Sequence, residues 1–236
     1  MSDLSWLTAR PIAHRGYRDM NRQRWENTLS AFDAAIERGF AIECDLHLSK
    51  DGVPVVFHDL ELKRLTAEQG SVVEYTVAEL RRLRVGGTSD HIPTLEEMLE
   101  RVAGRVPLVI ELKGMQAHDD GLVAKTGALL AAYDGPAAIM SFNHAHIRRF
   151  AADAPGIPAG LTAFGAKPEH LEGHFSMLAH GIGFASLSSR AWTLRSAGDL
   201  PSARRVIDLR SLLSSLARSS GGGSLPTSVS MRGITV

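Results

Sequence analysis

The most informative stretch of the chain is Phe40-Ala41-Ile42-Glu43-Cys44-Asp45-Leu46-His47-Leu48. Its length and apolar residues are typical of a buried β-strand. Side chains two residues apart in a strand point to the same face, so Glu43 and Asp45 project together and Cys44 points away. Two carboxylates side by side repel each other unless they share a proton or a cation. The stretch therefore predicts a core strand with a charged site on one face.

The segments on either side of this strand also show strand and helix patterns. Residues 11–13 are predicted as a short first strand, and residues 27–38 as a helix with one apolar face. After the turn Lys50-Asp51-Gly52, residues 53–57 are predicted to pair with strand 40–48 as a hairpin.

The same alternation continues along the chain. It predicts an α/β fold in which helices lie outside a parallel sheet, and the length of the chain is typical of a TIM-type (β/α) barrel. Functional residues of such a barrel lie at the carboxyl ends of its strands. The further predicted helices are 76–83, 94–102 (with a Thr94–Glu97 capping box), 121–133, 146–152 and 168–179, and the further predicted strands are 106–112, 137–142, 159–164 and 183–187.

The composition changes near residue 188. Residues 1–188 are predicted to form the barrel domain, whereas residues 189–236 are rich in Ser, Arg and Gly and include Gly221-Gly222-Gly223. We predict no strand in this second segment. It is interpreted as disordered or as the product of a shifted reading frame, so the last βα units of the barrel are expected to be incomplete or altered.

Composition excludes some functions. The 236 residues carry 26 basic and 26 acidic side chains, which argues against nucleic-acid binding through bulk charge. Cys44 is the only cysteine, so no intramolecular disulfide can form, and we interpret it as a buried apolar residue without chemistry. With no signal peptide or membrane-span pattern, a cytoplasmic location without stable membrane association is expected.

Three other strand ends carry ionisable residues. His14-Arg15-Gly16 follows the first strand, His58-Asp59 follows the hairpin strand, and Glu111-Leu112-Lys113 ends strand 106–112. Glu111 and Lys113 repeat the two-residue spacing, so they are predicted to face the same site as Glu43 and Asp45. Oxygen ligands of this kind favour Mg²⁺, Ca²⁺ or Mn²⁺ over zinc.

These residue types together match phosphodiester cleavage. The planar fork of Arg15 suits a phosphate oxyanion, and two imidazoles can supply one general base and one general acid. Each segment alone has a simpler interpretation: a solvated edge strand, a histidine bonded to backbone, or a surface ion pair. The occurrence of all four at strand ends favours a common site.

On its motifs the chain resembles the glycerophosphodiester phosphodiesterase family. The resemblance covers roughly the first half of the chain closely and continues more weakly to about residue 188. The matching motifs are AHRG at 13–16, ENTLSAF at 26–32, ECDLHLSKDG at 43–52, PVVFHD at 54–59, LT at 65–66, IPTLEE at 92–97, ELK at 111–113 and SFN at 141–143.

The resemblance implies a TIM-barrel enzyme that needs a divalent metal and acts on a small glycerophosphodiester. A hydroxyl of the substrate's own glycerol is expected to attack phosphorus, giving a cyclic phosphate that water opens. By motif position, the implied roles are metal ligation by Glu43, Asp45 and Glu111, acid/base catalysis by His14 and His58, phosphate binding by Arg15 and Lys113, and support by Glu26 and Asn27.

The chain departs from the family pattern at two places. Trp25 stands where the family commonly has Pro, and Trp192-Thr193-Leu194 is only an echo of a family motif near the closing strands. Two alternatives to a glycerophosphodiesterase therefore stay open. One is a phospholipase-like enzyme acting on lysophospholipid headgroups, and the other is a non-catalytic phosphate- or metal-binding product of the altered C-terminus.

Overall fold

The computed structural model describes residues 4–7, 9–114, 121–163, 187–188 and 206–207. Every helix in this part of the chain is too short or too polar to cross a bilayer. The strands are β1 (Ile12–His14), β2 (Ala41–Leu48), β3 (Pro54–Val56), β4 (Leu108–Leu112), β5 (Ala137–Ser141), β6 (Ala159–Ala163), β7 (Leu187–Ser188) and β8 (Val206–Ile207). The α-helices are α1 (Leu29–Ile36), α2 (Val77–Leu80), α3 (Leu95–Val102), α4 (Leu122–Ala131) and α5 (His144–Asp153).

The strands form one sheet with the order β7-β6-β5-β4-β2-β1-β8. All neighbours from β1 to β7 along this order are parallel, and β3 is the antiparallel hairpin partner of β2. A helix separates most successive parallel strands, which confirms the predicted α/β class and the TIM-type arrangement.

The two faces of β2 explain how a charged site fits into an apolar sheet. Ile42, Cys44 and Leu46 belong to the main core, where the helices cover the sheet. The alternate residues face the other side, and Ala41 packs there in a small apolar cluster that includes Leu7 near the amino ends of the strands. This cluster covers that face of the sheet near the amino ends of the strands, so the carboxylates of β2 follow an apolar region on the same face. Cys44 is fully buried, as predicted.

Side-chain caps set the starts of α1, α2, α3 and α5. In α3 the Thr94 side chain accepts from the Glu97 backbone, and the Glu97 side chain accepts from Thr94, which confirms the capping box. Helix α1 begins at Leu29, capped by Thr28, so its predicted start at residue 27 is wrong. The reason is that Asn27 has φ 56°, a left-handed conformation that no α-helix contains. Asn27 is thereby freed to face the site.

The C-terminal segment differs from the prediction at one point. Val206–Ile207 pairs antiparallel with β1, so the expectation of no strand after residue 188 is wrong. Two β-branched residues are too short a run to stand out in a sequence pattern, and here the edge of β1 supplies the partner. The predicted helix 168–179, most of strand 183–187 and Trp192–Leu194 lie outside the described residues. The domain boundary at residue 188 and the shifted reading frame stay predictions.

Candidate active site

Strand register brings the ionisable residues together at one edge of the sheet. In the parallel pairing of β2 with β4, Asp45 lies opposite Glu111, and in the pairing of β1 with β2, His14 lies opposite Glu43. The two-residue spacing of Glu43 and Asp45 keeps both on the same face. We call Glu43, Asp45 and Glu111 the acidic cluster.

The acidic cluster is compact and buried. One carboxylate oxygen from each of its three residues lies within 4.8 Å of the others. The Lys113 ammonium lies 2.9 Å from Asp45 Oδ1 and 2.7 Å from Glu111 Oε1, so one cation is shared between two acids. Oε1 of Glu43 is buried and has no hydrogen-bond partner. An oxygen in that position is available to a bound cation.

The acidic cluster carries more negative charge than Lys113 can neutralise, and the pKa values of its carboxyl groups reflect this. Burial, with the nearby Asp45 and Glu111 charges, raises the pKa of Glu43 well above its usual value. Burial and the Asp45 charge raise the pKa of Glu111 to about 7. Burial opposes ionisation of Asp45 too, but the Lys113, His58 and Arg15 charges and the Asn27 hydrogen bond together outweigh it and lower the pKa of Asp45. The donor set, oxygen-only and more negative than Lys113 can neutralise, fits a hard divalent cation.

Arg15 connects the first strand to this cluster. Its backbone N–H donates to Glu43 Oε2 at 2.9 Å, and its guanidinium Nη1 donates to Glu26 Oε1 at 2.8 Å. The guanidinium Nε also lies 3.4 Å from Asp45 Oδ2. Arg15 has a left-handed backbone, φ 59°, which costs a non-glycine residue roughly 1 kcal/mol. This left-handed conformation turns its N–H toward the cluster.

Asn27 and Glu26, the predicted supporting residues, lie beside Arg15. The Asn27 side-chain amide donates to Asp45 Oδ2 at 2.9 Å, and its backbone N–H donates to the Arg15 carbonyl at 2.9 Å. The Asn27 carbonyl oxygen Oδ1 is buried without a hydrogen-bond partner. Asn27 therefore orients one acidic ligand and offers a further oxygen near it.

The two histidines have different surroundings. His14 Nε2 lies 3.8 Å from Glu43 Oε2, and burial together with the Arg15 charge lowers the pKa of His14 to about 3. His58 Nδ1 lies 2.6 Å from Asp59 Oδ1. Burial lowers the pKa of His58, while the Asp45 and Asp59 carboxylates oppose that effect. The structure thus places both imidazoles near the acidic cluster, each beside a different carboxylate.

Sequence reasoning missed a set of ion pairs around Glu26. Arg64 forks onto Asp59, with Nε 2.5 Å from Oδ2 and Nη2 3.0 Å from Oδ1, and its Nη2 also lies 2.6 Å from Glu26 Oε1. Arg18 Nη1 lies 2.5 Å from Glu26 Oε2. We call Arg18, Glu26, Asp59 and Arg64 the rim network. Its members come from separate loops, so no spacing rule signals it.

His47 is a second residue that sequence reasoning left without a role. It is buried, and its Nε2 lies 3.1 Å from the backbone carbonyl oxygen of His58, to which it can donate. The alternation of β2 could have found it, because His47 follows Glu43 and Asp45 on the same face. His47 ties the loop that carries His58 to the strand that carries the acidic cluster.

Trp25, which stands where the family commonly has Pro, holds the loop that carries Glu26 in place. It packs against an apolar cluster formed by the segment between β3 and α3. At Gly86 an added Cβ would lie 2.0 Å from the Trp25 ring, so the indole sits directly on that glycine. Trp25 therefore fastens the Glu26 loop to the segment that carries Arg64.

Comparison with known proteins gives consistent relatives. A model of the glycerophosphoryl diester phosphodiesterase family matches residues 14–181. A glycerophosphodiester phosphodiesterase of Caldanaerobacter subterraneus is 35% identical over 160 residues, which cover 64% of this chain and 65% of that protein. A lysophospholipase D of Rattus norvegicus is 32% identical over 138 residues, covering 53% of this chain and 42% of that protein. The chain thus spans less than two thirds of either curated relative.

A solved structure shows the same fold. The Oleispira antarctica phosphodiesterase OLEI02445, in complex with the product sn-glycerol-3-phosphate, has a TM-score of 0.63 and 26% sequence identity to this chain. The match covers 91% of this chain and 91% of that chain.

Proposed function

Because the chain belongs to the glycerophosphoryl diester phosphodiesterase family, we propose that it hydrolyses glycerophosphodiesters to glycerol 3-phosphate and an alcohol. The observation that carries the proposal is the buried acidic cluster with Lys113 against it and two histidines, His14 and His58, near it. A compact acidic group flanked by cations and imidazoles is suited to a charged phosphodiester.

Glu43, Asp45 and Glu111 would hold a divalent cation, and Ca²⁺, Mg²⁺ and Mn²⁺ all suit these ligands. When bound, such a cation supplies Lewis-acid polarisation and neutralises charge on the phosphoryl oxygens. The unpartnered Oε1 of Glu43 supports this assignment, since an isolated buried carboxylate oxygen is otherwise costly.

Arg15 and Lys113 supply fixed positive charge for the non-bridging phosphate oxygens. The Lys113 side chain is largely buried and still keeps a raised pKa, because Asp45 and Glu111 overcome the effect of burial. It therefore stays protonated at neutral pH. Both cations are held by carboxylates before substrate arrives, so little reorganisation is needed when phosphate binds.

The protein offers two imidazoles for proton transfer. In the proposed reaction a substrate glycerol hydroxyl attacks phosphorus, and the bond from phosphorus to the departing alcohol oxygen breaks. One of His14 and His58 takes the hydroxyl proton, and the other protonates the departing alkoxide. Water then opens the cyclic phosphate with the proton transfers reversed. Asp59 accepts from His58 Nδ1, which leaves Nε2 of that ring for the substrate.

A lysophospholipid is the second candidate substrate class. Leu60, next to Asp59, is 49% exposed, and Met20, near Arg18, is 60% exposed. Apolar side chains exposed beside the rim network suit an acyl chain better than a water-soluble diester. The match to a lysophospholipase D supports the same alternative.

An assay on purified protein separates these substrates. We expect turnover of glycerophosphocholine or glycerophosphoethanolamine with a divalent cation, and loss of turnover with a chelator. Release of the headgroup from lysophosphatidylcholine without turnover of the water-soluble diesters would favour the second candidate. Absence of both activities in a monodisperse preparation would overturn the proposed function and leave a non-catalytic protein. A cytoplasmic location, no nucleic-acid partner and no stable membrane association stay predictions.

A further inference from the structure

Arg64 is the one residue among those described that contacts both carboxylates of the rim network. It forks onto Asp59 and also reaches Glu26 with Nη2 at 2.6 Å, although Arg64 and Glu26 are 38 residues apart in sequence. Asp59 in turn contacts His58, and Glu26 contacts Arg15. A single guanidinium therefore links the loop of an acid/base residue to the loop of a phosphate-binding residue.

The backbone beneath Arg64 is rigidly held. Arg64 ends the short 3₁₀ helix Leu62–Arg64, and Leu62 and Leu65 on either side of it are buried in an apolar cluster. The Leu65 carbonyl accepts from the Gly86 N–H at 2.7 Å. The side chain thus extends from a fixed base, which limits the conformational entropy that its ion pairs cost.

We propose that Arg64 is a positioning residue that holds the Asp59 carboxylate, and through it the His58 imidazole, in the orientation needed for proton transfer. The inference rests on the proposed function. An exposed ion pair alone contributes little to stability, but a bidentate fork fixes the plane of a carboxylate. In the described part of the chain, the hydrogen-bond and ion-pair partners of the Asp59 carboxylate are His58 and Arg64. Among the described residues, Arg64 is therefore the polar partner that restrains this carboxylate besides the imidazole.

Arg64 contacts two carboxylates, Glu26 and Asp59, so its removal is expected to affect kcat and KM unequally. Without Arg64, Arg15 keeps Glu26 and the Glu43 contact, so phosphate binding and KM are expected to change little. Asp59 loses its fork, so the loss falls on kcat. For Arg64→Ala we expect a fall in kcat of roughly 10- to 100-fold, the range seen when a group that orients a functional histidine is removed.

Two variants serve as matched controls. Arg81 is about as exposed as Arg64 and pairs with Glu97 away from the site, so Arg81→Ala should leave kcat and KM unchanged. Arg18→Ala removes a different guanidinium from Glu26 but leaves the Asp59 fork intact, so its kcat should stay well above that of Arg64→Ala. Equal losses in the Arg18 and Arg64 variants would overturn the proposal, because the effect would then act through Glu26.

Two further measurements test the fork itself. Arg64→Lys keeps the charge but has no fork, so its kcat should stay below that of the unmodified chain. Millimolar guanidinium should partly restore kcat of Arg64→Ala and should not affect Arg81→Ala. Full activity of Arg64→Lys, or no recovery with guanidinium, would contradict the proposal.

A spectroscopic readout separates this inference from the proposed function. Long-range ¹H–¹⁵N NMR, with His58→Ala for assignment, reports the tautomer of the His58 ring. We expect one tautomer, protonated at Nδ1, in the unmodified chain and a mixture in Arg64→Ala. An unchanged ring signal would overturn the positioning role whether or not the chain hydrolyses diesters. A chain without diesterase activity but with this ring change would overturn only the proposed function.

Discussion

The acidic cluster and the rim network are built by different means. Glu43 and Asp45 are at most 1% exposed and stand on a single strand, whereas Arg64 is 46% exposed and reaches Glu26 across two loops. The strand fixes the first pair by its two-residue repeat, while the second depends on how separate loops pack. From this difference we infer that the acidic cluster determines what the site binds, and that the rim network determines the orientation of the reacting groups.

The largest effect should come from the acidic cluster. Treatment with a chelator is expected to lower turnover by roughly 10³-fold or more, since a catalytic cation contributes several kcal/mol to charge stabilisation. Glu43→Gln, which keeps the side-chain shape, should weaken metal affinity in a calorimetric titration. Full turnover after exhaustive chelation would mean that the cluster is structural and that the comparison with the rim is wrong.

The histidines come next, because they join the two regions. His14→Ala and His58→Ala should each lower kcat by roughly 10²- to 10⁴-fold with little change in fold. A glycerophosphodiester with a 4-nitrophenol leaving group distinguishes their roles, because that group departs without protonation. The variant that lacks the general acid should recover on this substrate, and the variant that lacks the general base should not. Near-normal rates for both variants would refute the assignment.

Metal affinity should depend on pH through the protonation of the acidic cluster. Because the pKa of Glu111 is raised to about 7, its proton must leave before the carboxylate can ligate a cation. Affinity is therefore expected to fall as pH drops below 7, by about tenfold per pH unit for one released proton. Calorimetric titration with Mg²⁺ or Ca²⁺ between pH 8 and pH 6 measures the slope. Glu111→Gln, which removes one of the titrating carboxyls of the cluster, should bind more weakly and show a flatter slope over this range.

The same division explains what could be predicted from the sequence. The two-residue spacing in residues 40–48 was enough to place Glu43 and Asp45 on one face, and the strand-end position of Glu111 brought it beside Asp45. The resemblance to a known family then assigned roles to these residues. Both inferences use rules that hold within a strand or between neighbouring strands.

The rim network could not be predicted in this way. Arg64 lies on a short 3₁₀ helix and meets Glu26 only because the segment after β3 folds back over the Glu26 loop. Asn27 was expected inside a helix, but its left-handed backbone places it before the helix, facing Asp45. The positions of these side chains depend on tertiary packing, and a local sequence pattern does not predict tertiary packing.

The smallest expected effect comes from the packing of Trp25, which holds the Glu26 loop, on Gly86. Two adjacent glycines allow this contact to be tested. Gly86 and Gly87 both have left-handed backbone, with φ 60° and 71°, so an alanine at either position carries similar strain. A Cβ at Gly86 would lie 2.0 Å from the Trp25 ring, whereas a Cβ at Gly87 would meet nothing within 4 Å. The difference between the two variants therefore isolates the contact with Trp25.

We expect Gly86→Ala to lower the free energy of unfolding by roughly 1 kcal/mol more than Gly87→Ala, at the lower end of the usual cost of overpacking because a loop can shift. Urea denaturation of both variants measures this difference. If the Trp25 contact aligns the rim network, Gly86→Ala should also lower kcat, because displacing Gly86, whose N–H donates to the Leu65 carbonyl, moves the base from which Arg64 reaches Asp59. Equal stability and equal kcat in the two variants would show that the rim is aligned without Trp25, by its ion pairs alone.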